Sequence, residues 1–67
     1  MDSWLDHTGD DLALILDTGR LVSAAPLAFG GPRFLFERAG DLLEITPTID
    51  NGISCFRITN RGSASHV

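Results

Sequence analysis

Asp6, His7, Asp10 and Asp11 crowd four potential metal ligands into six residues near the start of the chain. Oxygens and one imidazole nitrogen at such spacing could gather a divalent cation. The segment around them reads as irregular and exposed, where acids are simply solvated, so no metal site is assigned. Cys55 is the only cysteine. A cysteine nucleophile needs a base beside it, and His7 and His66 lie near opposite ends of the chain. Its place in the apolar run 53–58 marks it as a small buried hydrophobe. Phe29-Gly30-Gly31-Pro32-Arg33 is a glycine-rich loop with one basic residue. It lacks the Gly-Lys-Ser/Thr of a phosphate loop and the glycine spacing of a dinucleotide fold, and reads as a connection that can serve recognition. No catalytic residue and no cofactor is assigned, and the chain is read as non-enzymatic.

Ile15-Leu16-Asp17-Thr18-Gly19 resembles the Asp-Thr-Gly motif of the aspartic proteases. The resemblance implies an aspartate that follows an apolar strand and shares a proton with a second aspartate across two lobes or two subunits. It covers five residues and then departs. Arg20 stands where that family has a small or hydroxyl residue, and no later apolar-apolar-Gly element follows. Asp17 and Gly19 are therefore read as turn residues.

Whatever positions these residues is small. Sixty-seven residues make one domain at most, and such a chain leans on a disulfide, a metal or a partner. One cysteine excludes an internal disulfide, and a lone thiol fits a reducing cytoplasm. Nine acids against five arginines and no lysine give a net charge of −4. This disfavours a nucleic-acid surface, which needs clustered positive charge, and suits a basic partner. The longest apolar run, residues 12–16, is far shorter than the roughly 20 residues of a membrane helix. No basic region precedes it as in a signal peptide. Met1 reads as the start of a short open reading frame.

Short apolar runs alternate with glycine turns, the signature of strands and hairpins. Asp17-Thr18-Gly19 separates runs 12–16 and 21–25. Ala39-Gly40-Asp41 separates runs 33–38 and 42–46, and Asp50-Asn51-Gly52 precedes run 53–59. Gly19 and Gly40 sit where a three-residue loop wants positive φ, and Asn51-Gly52 suits a type I′ turn. Pro26 and Pro32 bracket a connection and fit no central strand. The expected fold is all-β, a small antiparallel meander or partly open SH3-like barrel of four or five strands. Hairpins join its first two and next two strands. The alternative is α+β with a short helix at residues 9–18, since Thr8-x-x-Asp11 resembles a helix start and Gly19 a helix end. Residues 1–11 read as a partly ordered segment in which Ser3 and Asp6 cap one helical turn and Trp4 folds onto the body. Residues 12–60 read as the β domain and residues 61–67 as a disordered tail.

Two of the expected strands are apolar on both faces. Leu12, Leu14 and Leu16 alternate with Ala13 and Ile15, and Leu35 points away from Phe34 and Phe36. A single small sheet buries one face, so a second cover is required. The expected function is thus a protein-interaction module, an accessory or regulatory subunit. It would form a homo-oligomer or take a protein partner through Leu14, Ile15, Phe29 and Leu35. The other function class considered is a small β-barrel that binds single-stranded nucleic acid. Arg33, Arg38 and Arg57 would line a rim beside Phe29, Phe34, Phe36 and Phe56, although Glu37, Asp41 and Glu44 would cancel much of that field.

Overall fold

The computed structural model describes residues 2–26 and 31–63. Within them the chain forms β1 (Asp2–Asp6), α1 (Asp10–Thr18), β2 (Arg20–Pro26), β3 (Pro32–Arg38), β4 (Asp41–Asp50) and β5 (Ile53–Ser63). The strands make one antiparallel sheet in the order β1-β5-β4-β3-β2. The expected small antiparallel β domain is what the chain forms: a meander of β2 to β5, with β1 added outside β5. The sheet is open, with β1 and β2 as its two edges.

Both inner hairpins follow from their turn residues. Arg38 pairs with Asp41, and Ala39 and Gly40 between them have φ of 52° and 81°. Asp50 pairs with Ile53 across Asn51 and Gly52, at 50° and 78°. Two positive φ values define the tight turn whose twist matches the strands it joins. The first loop therefore has two residues, where three were expected. Pro47 is tolerated because the β3–β4 ladder stops at Ile45, so proline removes no bond between those strands.

Residues 12–16 correct the expectation of a strand. They lie inside α1, the helix of the alternative, and the hairpin expected at Asp17-Thr18-Gly19 is a helix end. In a helix, Leu12, Ile15 and Leu16 fall along one side. They need a cover on that side alone; the sheet supplies it for Ile15 and in part for Leu12, while Leu16 stays exposed. Ser3 to Asp6, expected to cap a helical turn, belong to β1. Residues 61–63, expected in a disordered tail, extend β5.

The core lies where α1 crosses one face of the sheet. Ile15 packs there with Phe36, Leu43, Ile45 and Ile58, all nearly inaccessible. Register explains the set: Phe36 stands opposite Leu43, and Ile45 opposite Ile58. Alternation puts these side chains on the helix side and sends Leu35, Glu44, Thr46 and Arg57 to the other side.

Candidate functional site

Asp6, at the end of β1, fixes where α1 begins. Its Oδ1 accepts hydrogen bonds from the Gly9 N–H at 2.9 Å and from the Thr8 N–H and hydroxyl at 3.2 Å. Its Oδ2 accepts from the Leu12 N–H at 2.9 Å. Helix starts leave such donors without intrahelical partners, and this one carboxylate satisfies several. The bond from the Leu12 N–H, with those from Gly9 and Thr8, holds its pKa below the ordinary 3.8, against the opposing effect of burial. Asp10 and Asp11 in the first turn favour the helix dipole. At the other end Gly19 donates its N–H to the Ile15 carbonyl at 2.7 Å. A Cβ at Gly19 would stand 2.7 Å from that carbonyl oxygen and 3.3 Å from the Glu37 carbonyl oxygen. Only glycine lets the helix end press so closely on β3.

Anchored at both ends, α1 covers part of the helix-side face and leaves an apolar groove of about 400 Å³ along one flank. Leu12 and Leu16 form its helix wall, and Leu21 of β2 forms its outer lip. Phe34, Phe36, Ile45 and Phe56 form its floor. Leu16 is 59% exposed and Leu21 53%. Ile49, on the same side by alternation, lies exposed toward the β4–β5 turn.

The four expected contact residues do not converge. Leu14 is exposed on the outward side of α1, and Ile15 is in the core at 1% exposure, which removes it from any contact surface. Leu35 is half-buried on the opposite face, beside Glu44 in register. Phe29 lies outside the described residues. Sequence reasoning missed Leu12, Leu16, Leu21, Phe34 and Phe56 as one surface. The signal was present in the helical spacing of Leu12, Ile15 and Leu16, and reading that run with strand period obscured it.

The side chains singled out for chemistry have other partners. Asp6 caps α1, and His7 Nε2 lies 2.8 Å from Asp50 Oδ2. Trp4 Nε1 donates to Asp11 Oδ2 at 2.8 Å, which folds the half-exposed indole against α1. Among the described residues no three acidic, histidine or cysteine side chains are grouped to hold a metal. Cys55 is buried. Asp17 and Thr18 occupy the last turn of α1, and the Thr18 hydroxyl donates to the Leu14 carbonyl at 2.7 Å. That is not the strand-end setting the protease resemblance implies.

Arginines and phenylalanines are largely segregated. Phe34, Phe36 and Phe56 take helix-side positions, while Arg33 and Arg57 take the opposite face. There Glu44 meets Arg61 at 2.9 Å and Arg33 at 3.5 Å. Arg20 meets Glu37 at 2.7 Å. Arg38 alone of the rim expected for nucleic acid shares the phenylalanines' parity. Among the described residues no helix is long and apolar enough to cross a membrane. Comparison with protein-family models, curated proteins and solved structures found no match, so geometry alone carries the functional reading.

Proposed function

We propose that this chain is a non-enzymatic protein-interaction module, an accessory or regulatory subunit. It presents the apolar groove beside α1 to a second copy or to another protein. The observation that supports this most is the pairing of Leu16 and Leu21, both more than half exposed, as the two lips of a groove walled entirely by apolar side chains. Contiguous apolar surface rimmed by polar residues is typical of an interaction site. The contact set accordingly shifts from Leu14, Ile15, Phe29 and Leu35 to Leu16, Leu21 and the groove floor. A reducing cytoplasm suits the buried free thiol of Cys55.

The test follows the methyl resonances of Leu16 and Leu21 in the intact chain. They are recorded from micromolar to millimolar protein, and with a panel of amphipathic helical and extended peptides. Shifts confined to groove residues support the proposal. A chain that stays monomeric, with both sets of methyls unmoved throughout, overturns it.

A further inference from the structure

We infer that Asn51 is a site of spontaneous covalent modification. Its side-chain amide is lost through a cyclic imide formed with Gly52, at a rate set by opening of the β4–β5 turn. This site stands apart from the groove and from whatever fills it.

Asn51 and Asn60 carry the only side-chain amides in the sequence, which has no glutamine. Their settings are opposite. Asn60 lies inside β5, in register with Asp2 of β1 on one side and Leu43 of β4 on the other. Its Oδ1 accepts from the Gly62 N–H at 2.8 Å, and Arg61 follows it. Asn51 stands exposed at the tip of the β4–β5 hairpin. No hydrogen bond among the described residues holds its side chain. Gly52 follows it and has no side chain to hinder its nitrogen. Nothing lies within 4 Å of where a Cβ on Gly52 would stand, so the approach is open. The reaction needs no partner but water. The Gly52 nitrogen bonds to Cγ of Asn51 and closes a succinimide ring. The side-chain nitrogen leaves as ammonia, with the proton that the Gly52 N–H gives up. Water then opens the ring. Attack at Cγ gives aspartate, and attack at the backbone carbonyl gives isoaspartate, in which the main chain runs through the side chain. Nothing is oxidised or reduced.

The closed turn holds this reaction back. Asn51 and Gly52 have φ of 50° and 78°, and a turn of this type keeps ψ of its first central residue at about +30°. That angle swings the Gly52 nitrogen to the side of the Cα–C bond away from Cβ, whereas ring closure needs it on the same side. The turn must therefore open first. Little holds its tip shut. The β3 ladder on β4 stops at Ile45, and the β1 ladder on β5 stops at Phe56. Among the described residues, 48–50 and 53–55 pair only with each other. Ile49 and Ile53 beside the turn are 71% and 56% exposed, so opening uncovers little apolar surface. Asp50, next to Asn51, is tied to the body by His7 Nε2 at 2.8 Å from its Oδ2. Such a tip opens locally, without global unfolding. Either product adds a negative charge beside Asp50 to a chain of net charge −4. Isoaspartate also lengthens the main chain inside a two-residue turn, which unseats the Asp50–Ile53 pair.

The experiment incubates the intact chain at neutral pH, folded and in guanidinium chloride, and follows the mass gain of amide to acid. Peptide mapping assigns the gain to Asn51 or Asn60 and separates isoaspartate from aspartate. In denaturant Asn51 is expected to convert ahead of Asn60, with isoaspartate among the products. Folding is expected to slow Asn51 by about tenfold, far less than the hundredfold or more imposed by waiting for global unfolding. His7→Ala frees Asp50 and speeds conversion of the folded chain by about two- to fivefold, with the rate in denaturant unchanged. Gly52→Ala, read in denaturant where its own folding is irrelevant, slows Asn51 to the pace of Asn60.

No conversion of Asn51 in denaturant, or conversion no faster than that of Asn60, overturns the site. Aspartate without isoaspartate overturns the cyclic route, since direct hydrolysis of the amide gives that product alone, and so does a Gly52→Ala chain that reacts as fast as the wild type. Equal rates in the folded and denatured chain overturn control by the turn. So does a folded rate as low as global unfolding would impose, or one that His7→Ala leaves unchanged.

Discussion

Under α1 the helix-side face of the sheet is dry: Ile15, Ile45 and Ile58 are at most 1% exposed. Along the flank of α1, Leu16 of the helix itself and Leu21 of edge strand β2 are more than half exposed. Composition does not separate the two regions, since both are aliphatic and aromatic. The difference is that one nine-residue helix covers a sheet wider than itself. Stability belongs to the covered region and availability to the other, and substitutions should divide the same way.

The largest effect is expected from Ile58→Ala. Its side chain is fully buried opposite Ile45 on one strand and Trp4 on the other. Truncating a buried Ile costs about 2–5 kcal/mol. A domain of this size holds roughly 3–10 kcal/mol in all, so the variant should be largely unfolded by far-ultraviolet circular dichroism at ambient temperature.

Gly19→Ala comes next, because it attacks the cover itself. The Gly19 backbone is ordinary extended chain, with φ of −103°, so the cost is steric. A methyl 2.7 Å from the Ile15 carbonyl oxygen and 3.3 Å from that of Glu37 meets backbone on both sides, and neither can swing away. Denaturant unfolding should show a loss of about 1–3 kcal/mol, the usual cost of overpacking. The groove should broaden in its spectra as α1 lifts. An unchanged midpoint would mean that the helix end is not pressed on β3.

At the opposite end of α1 the control is electrostatic. The Asp6 pKa is depressed in the folded state, so its carboxylate contributes stability above the ordinary value of 3.8. That contribution is lost as pH falls through the lower, folded value. Thermal melts should therefore drop in acid below about pH 4. Asp6→Asn should be less stable than the wild type near neutrality and should lack that part of the acid slope. The amide keeps one acceptor for Gly9 and Thr8 but turns its NH2 toward the Leu12 N–H, a donor against a donor. Identical acid slopes in the two proteins would assign the drop to other groups.

What could be read beforehand follows from the range of the interactions. Turns declare themselves locally, so Gly40 and Asn51-Gly52 placed the hairpins around β4, and the Phe34–Phe36 run matched a strand. Residues 12–16 did not declare themselves. Their helix is set by Asp6, a carboxylate on another element six residues before Leu12, and by the close approach of Gly19 to β3. Leu and Ala at these positions do favour helix, but the Asp-Thr-Gly that follows looks like any hairpin turn. The groove depended on that one assignment. As a strand, residues 12–16 offered Leu14 and Ile15 as surface. As a helix they bury Ile15, turn Leu14 outward and bring Leu16 to the lip facing Leu21. The charge pairing on the opposite face was half legible, since Glu44 was expected to cancel arginine charge and does meet Arg33 and Arg61.

The smallest effect on stability is expected where the effect on function should be largest. Leu21→Ser removes a side chain that is already 53% exposed and stands at the edge of the sheet, with no strand outside it among the described residues. A surface change of this kind shifts unfolding by about 0.5 kcal/mol or less. Ile58→Ala and Leu21→Ser both delete one aliphatic group from the same face, yet they should differ several-fold in stability loss. Chemical denaturation of the two side by side measures that ratio. If Leu21→Ser proves as damaging as a core truncation, then Leu21 is buried in solution by something already bound to the chain, and mass measurement on the wild type would show whether that cover is a second copy. If Leu21→Ser is silent in stability while the groove loses its peptide, the two regions are separable, and the exposed leucines are kept for contact rather than for folding.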